Sequence, residues 1–322
     1  MKRVSVLGSV VGTGILIASA ALLAQQPAAP ATPAPAGQAP GARAGGPPGG
    51  GVSQILKVAD NLYQVPGAGG TTAVFVTATG VVLVDTKLAN NGQAILDQVK
   101  TVTDKPITHI INTHTHGDHN GSNQFFPPTV EIVTQANTSA NMAKMPVFQE
   151  AANKHGLPDR TFTDRLTVLS GKESIDLYYF GAAHTNGDAF VVFRDAAVMH
   201  TGDAFANKGQ PLIDRANGGS GVAYPETIAK AAAQAKNIKT IITGHAQNGA
   251  TMTPQDLADF GEFTGLMLSH ARAALKQGQT PEQAMTDFRA KLPAKFKDYN
   301  LAGGRGGPGG NFGVLFEELQ GK

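Results

Sequence analysis

Between Asn112 and Asn123 the chain reads NTHTHGDHNGSN, with three histidines and an aspartate inside the six positions His114 to His119. Imidazole and carboxylate are ligands of zinc and its transition-metal neighbours, so the first chemistry this cluster suggests is metal binding. On an extended segment His114 and His116 face the same way, being two residues apart. Asp118 and His119 follow Gly117, where the chain can turn and present a second set of ligands. That spacing suits two ions better than one.

Four groups are too few for two ions, and the rest of the chain offers more. GAAHTNGD supplies His184, HTGDAF supplies Asp203 and ITGHAQ supplies His245. Each follows a short apolar run and stands beside a small residue. The chain has no cysteine, so thiolate ligands and disulfides are both excluded, while an oxidising compartment is tolerated.

The elements that must carry these residues follow from pattern. QILKVADNLYQVPG, TTAVFVTATG and VVLVDT are short β-branched runs broken by Gly and Asn, which predicts an N-terminal antiparallel meander. NGQAILDQVKTV places Ile95, Val99 and Val102 on one helical face, and PITHIIN reads as a buried strand ending where the cluster begins. The second half repeats the rhythm, with strands near 166–169, 174–179, 189–193 and 197–200, a helix in PETIAKAAAQAKN and a strand in IKTIITGH. Two further helices open with Thr-Pro, a capping residue followed by proline in the first turn. Two sheets with helices outside both is the simplest packing of this order.

The histidine motif together with the later ligands resembles the metallo-β-lactamase fold superfamily of metallohydrolases, over roughly residues 55–250. The signature His-x-His-x-Asp-His is matched by His114, His116, Asp118 and His119, and the later ligands by His184, Asp203 and His245, in the family's order. The resemblance implies an α/β fold, the four-layer αβ/βα sandwich of two mixed β-sheets with helices on both outer faces. It implies two Zn2+ ions per chain, one held by His114, His116 and His184 and the other by Asp118, His119 and His245, with Asp203 bridging; Fe2+ or Mn2+ suit the same ligands. The expected chemistry is hydrolysis of a small molecule: a bound hydroxide, oriented by Asp118 as the catalytic residue, attacks an activated carbonyl.

The bridging-type Asp203 resembles the glyoxalase II and lactonase branches, so an ester, thioester or lactone is the expected substrate. A β-lactamase is the alternative, although the basic residue some of those enzymes carry three positions past their ligand corresponds here to Ala206, where the lactonase branch commonly has Tyr. A non-catalytic metal-binding protein is the alternative from another class. Asp85 is expected to accept a hydrogen bond from a ligand or to cap a turn, and Asp188 to steady the His184 loop. His109, His155, His200 and His270 read as packed or surface residues. Phe125, Phe126, Phe205, Tyr224 and the loop GAGG at 67–70 are candidate walls of the cleft, though aromatics are more often core and such a loop is a hairpin tip by default. Arg215 and Lys208 could attract a substrate carboxylate, or be solvated charges.

At the N-terminus, Lys2 and Arg3 precede an uncharged stretch with Ala18-Ser19-Ala20, so 1–24 reads as a secretory signal peptide and the protein as periplasmic or secreted. Once cleaved, it leaves no stable membrane insertion. Residues 25–51 are a Pro/Ala/Gly-rich linker, 52–300 the expected metallo-β-lactamase domain with C-terminal helices, and 301–322 a Gly-rich tail whose NFGVLFEELQ has apolar residues able to dock on the body. Net charge is +2 and falls to zero when Lys2 and Arg3 leave, with no basic run elsewhere, so no nucleic-acid partner is expected.

Overall fold

The computed structural model describes residues 51–302 and 309–322. The signal expected at 1–24, and the linker apart from Gly51, lie outside them. Seven strands form the first sheet, in sequence order: β1 (Leu56–Ala59), β2 (Leu62–Val65), β3 (Thr72–Val76), β4 (Val81–Val84), β5 (Ile107–Ile111), β6 (Glu131–Gln135) and β7 (Arg160–Phe162). The first four are antiparallel, as the meander predicts, and from β4 to β7 all pairs are parallel. The second sheet is ordered β12-β11-β10-β9-β8, from β8 (Arg165–Val168), β9 (Ile175–Tyr179), β10 (Ala189–Phe193), β11 (Val198–His200) and β12 (Thr240–Ile242).

Period-two alternation builds the layers. In β3, Ala73 and Phe75 point between the sheets while Val74 points outward; in β10, Ala189, Val191 and Phe193 point between the sheets while Phe190 and Val192 point outward. Both sheets are thus apolar on both faces and need helices on their outer sides. Helix α1 (Gly92–Lys100) covers the first sheet through Ile95 and Val99; it ends before Val102, which lies in the turn toward β5. Short helices α2 (Gly117–Asn120), α3 (Ala136–Met142) and α4 (Pro146–Gln149) lie in the connections.

The second sheet is covered by α5 (Tyr224–Gln234), α6 (Pro254–Lys276), α7 (Pro281–Lys291) and α8 (Asn311–Leu319). Thr253 and Thr280 cap α6 and α7 in reciprocal boxes with Asp256 and Gln283, which is what the Thr-Pro openings predict. Helix α8 docks by Phe312, Leu315 and Phe316 into the same core. Among the described residues no helix is long and apolar enough to cross a membrane.

Direction decides where the site lies. β10 is antiparallel to both β9 and β11, and β12 is parallel to β11, so β9, β11 and β12 all end at one edge. β4 and β5, parallel to each other, deliver Asp85 and the histidine cluster from the first sheet. All seven expected ligands come from these strand ends.

Candidate metal centre

The seven residues converge. Donor atoms of His114, His116 and His184 lie within 4.8 Å of one another, as do those of Asp118, His119 and His245, and those of His114, His119 and Asp203. Asp203 touches both sides: its Oδ2 is 3.7 Å from His184 Nε2 and 3.2 Å from His245 Nε2, and its Oδ1 is 3.4 Å from His119 Nε2. Six of the seven are buried; His245 is nearly so.

Four of the five imidazoles, those of His114, His116, His119 and His184, are aimed by a bond on the outer nitrogen. His119 Nδ1 donates to Asp85 Oδ2 at 2.7 Å, and Thr113 donates to the same carboxylate through its N (2.8 Å) and Oγ1 (2.8 Å). The Thr113 hydroxyl, committed to Asp85, accepts in turn from His114 Nδ1 at 3.0 Å. One carboxylate therefore sets two ligands, the role expected of Asp85. Across the site, His116 Nε2 donates to Asp214 Oδ2 at 2.6 Å and His184 Nδ1 to the Leu212 carbonyl at 2.7 Å. Asp188 accepts from Thr185 N and Oγ1 and so steadies the His184 loop as expected.

These bonds fix the tautomers, and the consequence is electrostatic. With their outer nitrogens protonated, His116 Nδ1 and His184 Nε2 present bare lone pairs to each other at 2.8 Å. His114 Nε2, Asp118 Oδ2 and Asp203 Oδ1 are buried without a hydrogen-bond partner. Converging unshared lone pairs in a buried site repel unless a cation sits among them, so the donor set fits metal ions. Burial and neighbouring imidazoles push His114 well down and His184 down to about 3, holding them neutral as ligands must be. Burial also opposes charge on His119, but the carboxylates of Asp203, Asp85 and Asp118 outweigh it and raise this ring well above its ordinary range. Asp203 is held well below the carboxylate range: burial raises it, and His245 and His119 more than reverse that.

Two contributors were invisible in the sequence. Asp214 lies 98 residues from the histidine it orients. Lys87, fully buried, donates to the carbonyls of Val65 (2.6 Å), Gly67 (2.8 Å) and Gly70 (2.9 Å), three acceptors for the three donors of an ammonium. Burial lowers its amine to about 7 against the pull of Asp85. Asp85 and Lys87 both have positive φ, +64° and +65°, a strain that marks the turn as held by its surroundings. Lys87 ties down the GAGG loop, which joins β2 to β3 and packs on the site: a Cβ on Gly70 would stand 2.3 Å from the His119 ring. Gly117 behaves otherwise than its place in the motif suggests. It opens α2 without positive φ, and a Cβ there would meet only Met145 Cε at 3.7 Å, so the turn does not require glycine.

The remaining candidates are structural. Phe126, Phe205 and Tyr224 are core, Tyr224 Oη donating to the carbonyls of Asp203 and Ala204, while Phe125 is 44% exposed. Lys208 pairs with Asp256 at 2.6 Å and Arg215 with Glu318 at 3.4 Å. His200 bridges Thr71 O and Gly202 N, His109 faces Glu131, His155 bonds the Gln124 carbonyl and His270 packs on Phe288 and Phe312.

Comparison with known proteins agrees with this geometry. The family model of the metallo-beta-lactamase superfamily matches residues 66–245, more than half of the chain, so the chain belongs to that superfamily. The expected family and fold hold. The uncharacterized protein YobT of Bacillus subtilis (strain 168) is 28% identical over 138 residues, 40% of this chain and 59% of the relative's length. Among solved structures, the stereoselective inverting sec-alkylsulfatase Pisa1 from Pseudomonas sp. is similar with TM-score 0.71 at 14% identity, over 84% of this chain and 50% of that one. The metallo-beta-lactamase from Pontibacter korlensis is similar with TM-score 0.53 at 20% identity, over 66% of this chain and 98% of that one. At such identities the likeness is one of fold.

Proposed function

We propose that the protein is an exported dinuclear zinc hydrolase acting on an activated carbonyl in an ester, thioester or lactone. The observation that carries the reading is the convergence of unshared lone pairs: His116 Nδ1 against His184 Nε2, with His114 Nε2, Asp118 Oδ2 and Asp203 Oδ1 unpartnered and buried. His114, His116 and His184 would hold one cation and Asp118, His119 and His245 the other, with Asp203 shared between them. Bound cations would supply Lewis acidity, lowering the pKa of water from about 15.7 toward neutrality and polarising the scissile carbonyl. Asp118, whose free Oδ2 faces the centre, accepts a hydrogen bond from the attacking water and orients it. Asp85 and Asp214 keep the imidazoles from rotating, so the site meets the substrate already organised.

Lys208 and Arg215 are each engaged by a carboxylate, and Ala206 offers no charge. This favours a neutral carbonyl over a β-lactam, whose carboxylate needs a cation nearby. A sulfate ester is the second reading, because the fold likeness to the alkylsulfatase reaches beyond residues 66–245 to 84% of the chain. The test is turnover of an aryl ester, a thioester, lactones, nitrocefin and a secondary alkyl sulfate, with metal content by mass spectrometry. Ester or lactone hydrolysis should vanish on chelation and return with Zn2+; activity untouched by exhaustive chelation would defeat the reading. Export rests on the signal-like 1–24; N-terminal sequencing of the exported protein should find a start beyond that segment, and a start at Met1 would defeat that part.

A further inference from the structure

The acceptors that aim His116 and His184 both sit in one irregular segment, 210–222, whose only helical turn is Arg215–Asn217. The segment is tied to the His184 loop by Asp214 N to His184 O (2.9 Å) and Ser220 N to Ala183 O (2.9 Å). Its outer side is held by the C-terminal helix. At one end of α8, Asn311 Nδ2 donates to the Pro211 carbonyl at 2.6 Å and Asn311 N to Gln210 Oε1 at 3.1 Å. At the other end Glu318 accepts from Ser220 Oγ, from Gly221 N at 2.9 Å and from Val222 N at 3.4 Å, while facing Arg215 Nη1 at 3.4 Å. The helix is itself anchored by its buried Phe312, Leu315 and Phe316.

We propose that α8 is a strap that positions His116 and His184 for cation binding, with Glu318 and Asn311 as its two positioning residues. The polar groups of the helix grip both ends of the segment that carries Asp214 and the Leu212 carbonyl, about 100 residues away in sequence. A loop freed at Gly221 or Pro211 can shift Asp214 by fractions of an ångström, enough to misalign an imidazole against a small cation. The effect falls on the three-histidine triad through His116 and His184, because its third member, His114, and His119 of the other ligand set are aimed from the opposite sheet by Asp85. Helix α8 lies beyond residues 66–245, outside the matched family region.

This inference rests on the metal reading above, and its test separates the two. The full chain is loaded with Co2+, and affinity is measured by chelator competition together with the d–d absorption spectrum and the thermal unfolding of metal-free protein. Glu318→Ala and Asn311→Ala should each weaken one of two cobalt ions by up to about 10-fold and alter the spectrum. Glu318→Gln, whose amide oxygen still accepts from the backbone, should recover most of the affinity; Glu317→Ala, on the exposed face, should change nothing. If Glu318→Ala does not fold, Asn311→Ala and Glu318→Gln carry the comparison. Unchanged affinity and spectrum in a variant with lowered thermal stability would reduce α8 to ordinary packing and overturn the strap. A wild-type chain that binds no cobalt would defeat the metal reading itself, and the strap with it.

Discussion

The two halves of the candidate metal centre are built by opposite means. On the first sheet, four ligands lie within six residues after β5, and one carboxylate from the neighbouring β4 end, Asp85, orients His119 directly and His114 through Thr113. On the second sheet, His184, Asp203 and His245 arrive one at a time from three strand ends, and the bonds that aim His184 and its partner His116 come from a separate segment held by α8. The first half is a compact motif with one keystone. The second is assembled from distant pieces, so its precision depends on packing far from the ions.

Substituting the two keystones breaks the comparison hardest. If the proposed two ions are bound, Asp85→Asn removes the charge that His119 and Thr113 share, so both should bind more weakly, by about 100-fold, with a lowered unfolding temperature. On the two-ion reading Asp214→Asn touches, of the candidate ligands, His116 alone, so one ion should weaken, by about 10-fold, and the other should stay. Isothermal titration of metal-free protein with Zn2+ reads both, and equal effects on both ions from Asp214→Asn would dissolve the distinction.

The glycines of the first half come next. Gly70→Ala drives a methyl into the His119 ring, 2.3 Å away, and should cost about 1–3 kcal/mol of stability by denaturant unfolding. Gly117→Ala, inside the motif itself, meets only Met145 Cε at 3.7 Å and should stay within about 0.5 kcal/mol of wild type. Reversal of that order would show that the GAGG loop is not packed on the site as described.

The smallest effect concerns β9, the strand that leads to His184. Burial opposes charge on Asp176, but hydrogen bonds from Arg194 and Thr167 outweigh it and hold the carboxyl at about 2, below its ordinary 3.8. A depressed carboxylate contributes stability above the unfolded pKa, and that stability is lost as pH falls through the folded one. Allowing for the half-exposed Arg194, Asp176→Asn should cost about 1–2 kcal/mol at pH 7, with the difference from wild type fading between about pH 4 and pH 2. A constant difference across that range would sever it from the ion pair.

The fold was legible where periodicity is strong. The β-branched runs within 72–84, the apolar run at 189–193, the Ile95 and Val99 face of α1 and the Thr-Pro openings of α6 and α7 all find their elements. β6 and β7 were not legible: β7, at the edge of the first sheet, has only three residues, and β6 is a single apolar pair, Ile132 and Val133, between polar neighbours. The seven candidate ligands could be read because metal chemistry restricts their types and strand ends restrict their places. Asp214 and Lys87 could not be, because a single Asp in a loop and a single Lys after a strand have many ordinary explanations.

The sequence by itself determined which side chains are available to ions and, through hydrophobic period, that two sheets would carry them. Tertiary structure decided which imidazole nitrogen faces the centre, because a tautomer is set by the acceptor behind the ring, and those acceptors are Asp85, Asp214 and the Leu212 carbonyl. It also placed the C-terminal helix behind the site: chain connectivity says nothing of what Glu318 and Asn311 touch, and only packing of the apolar face of α8 brings their hydrogen-bonding groups to the loop they hold.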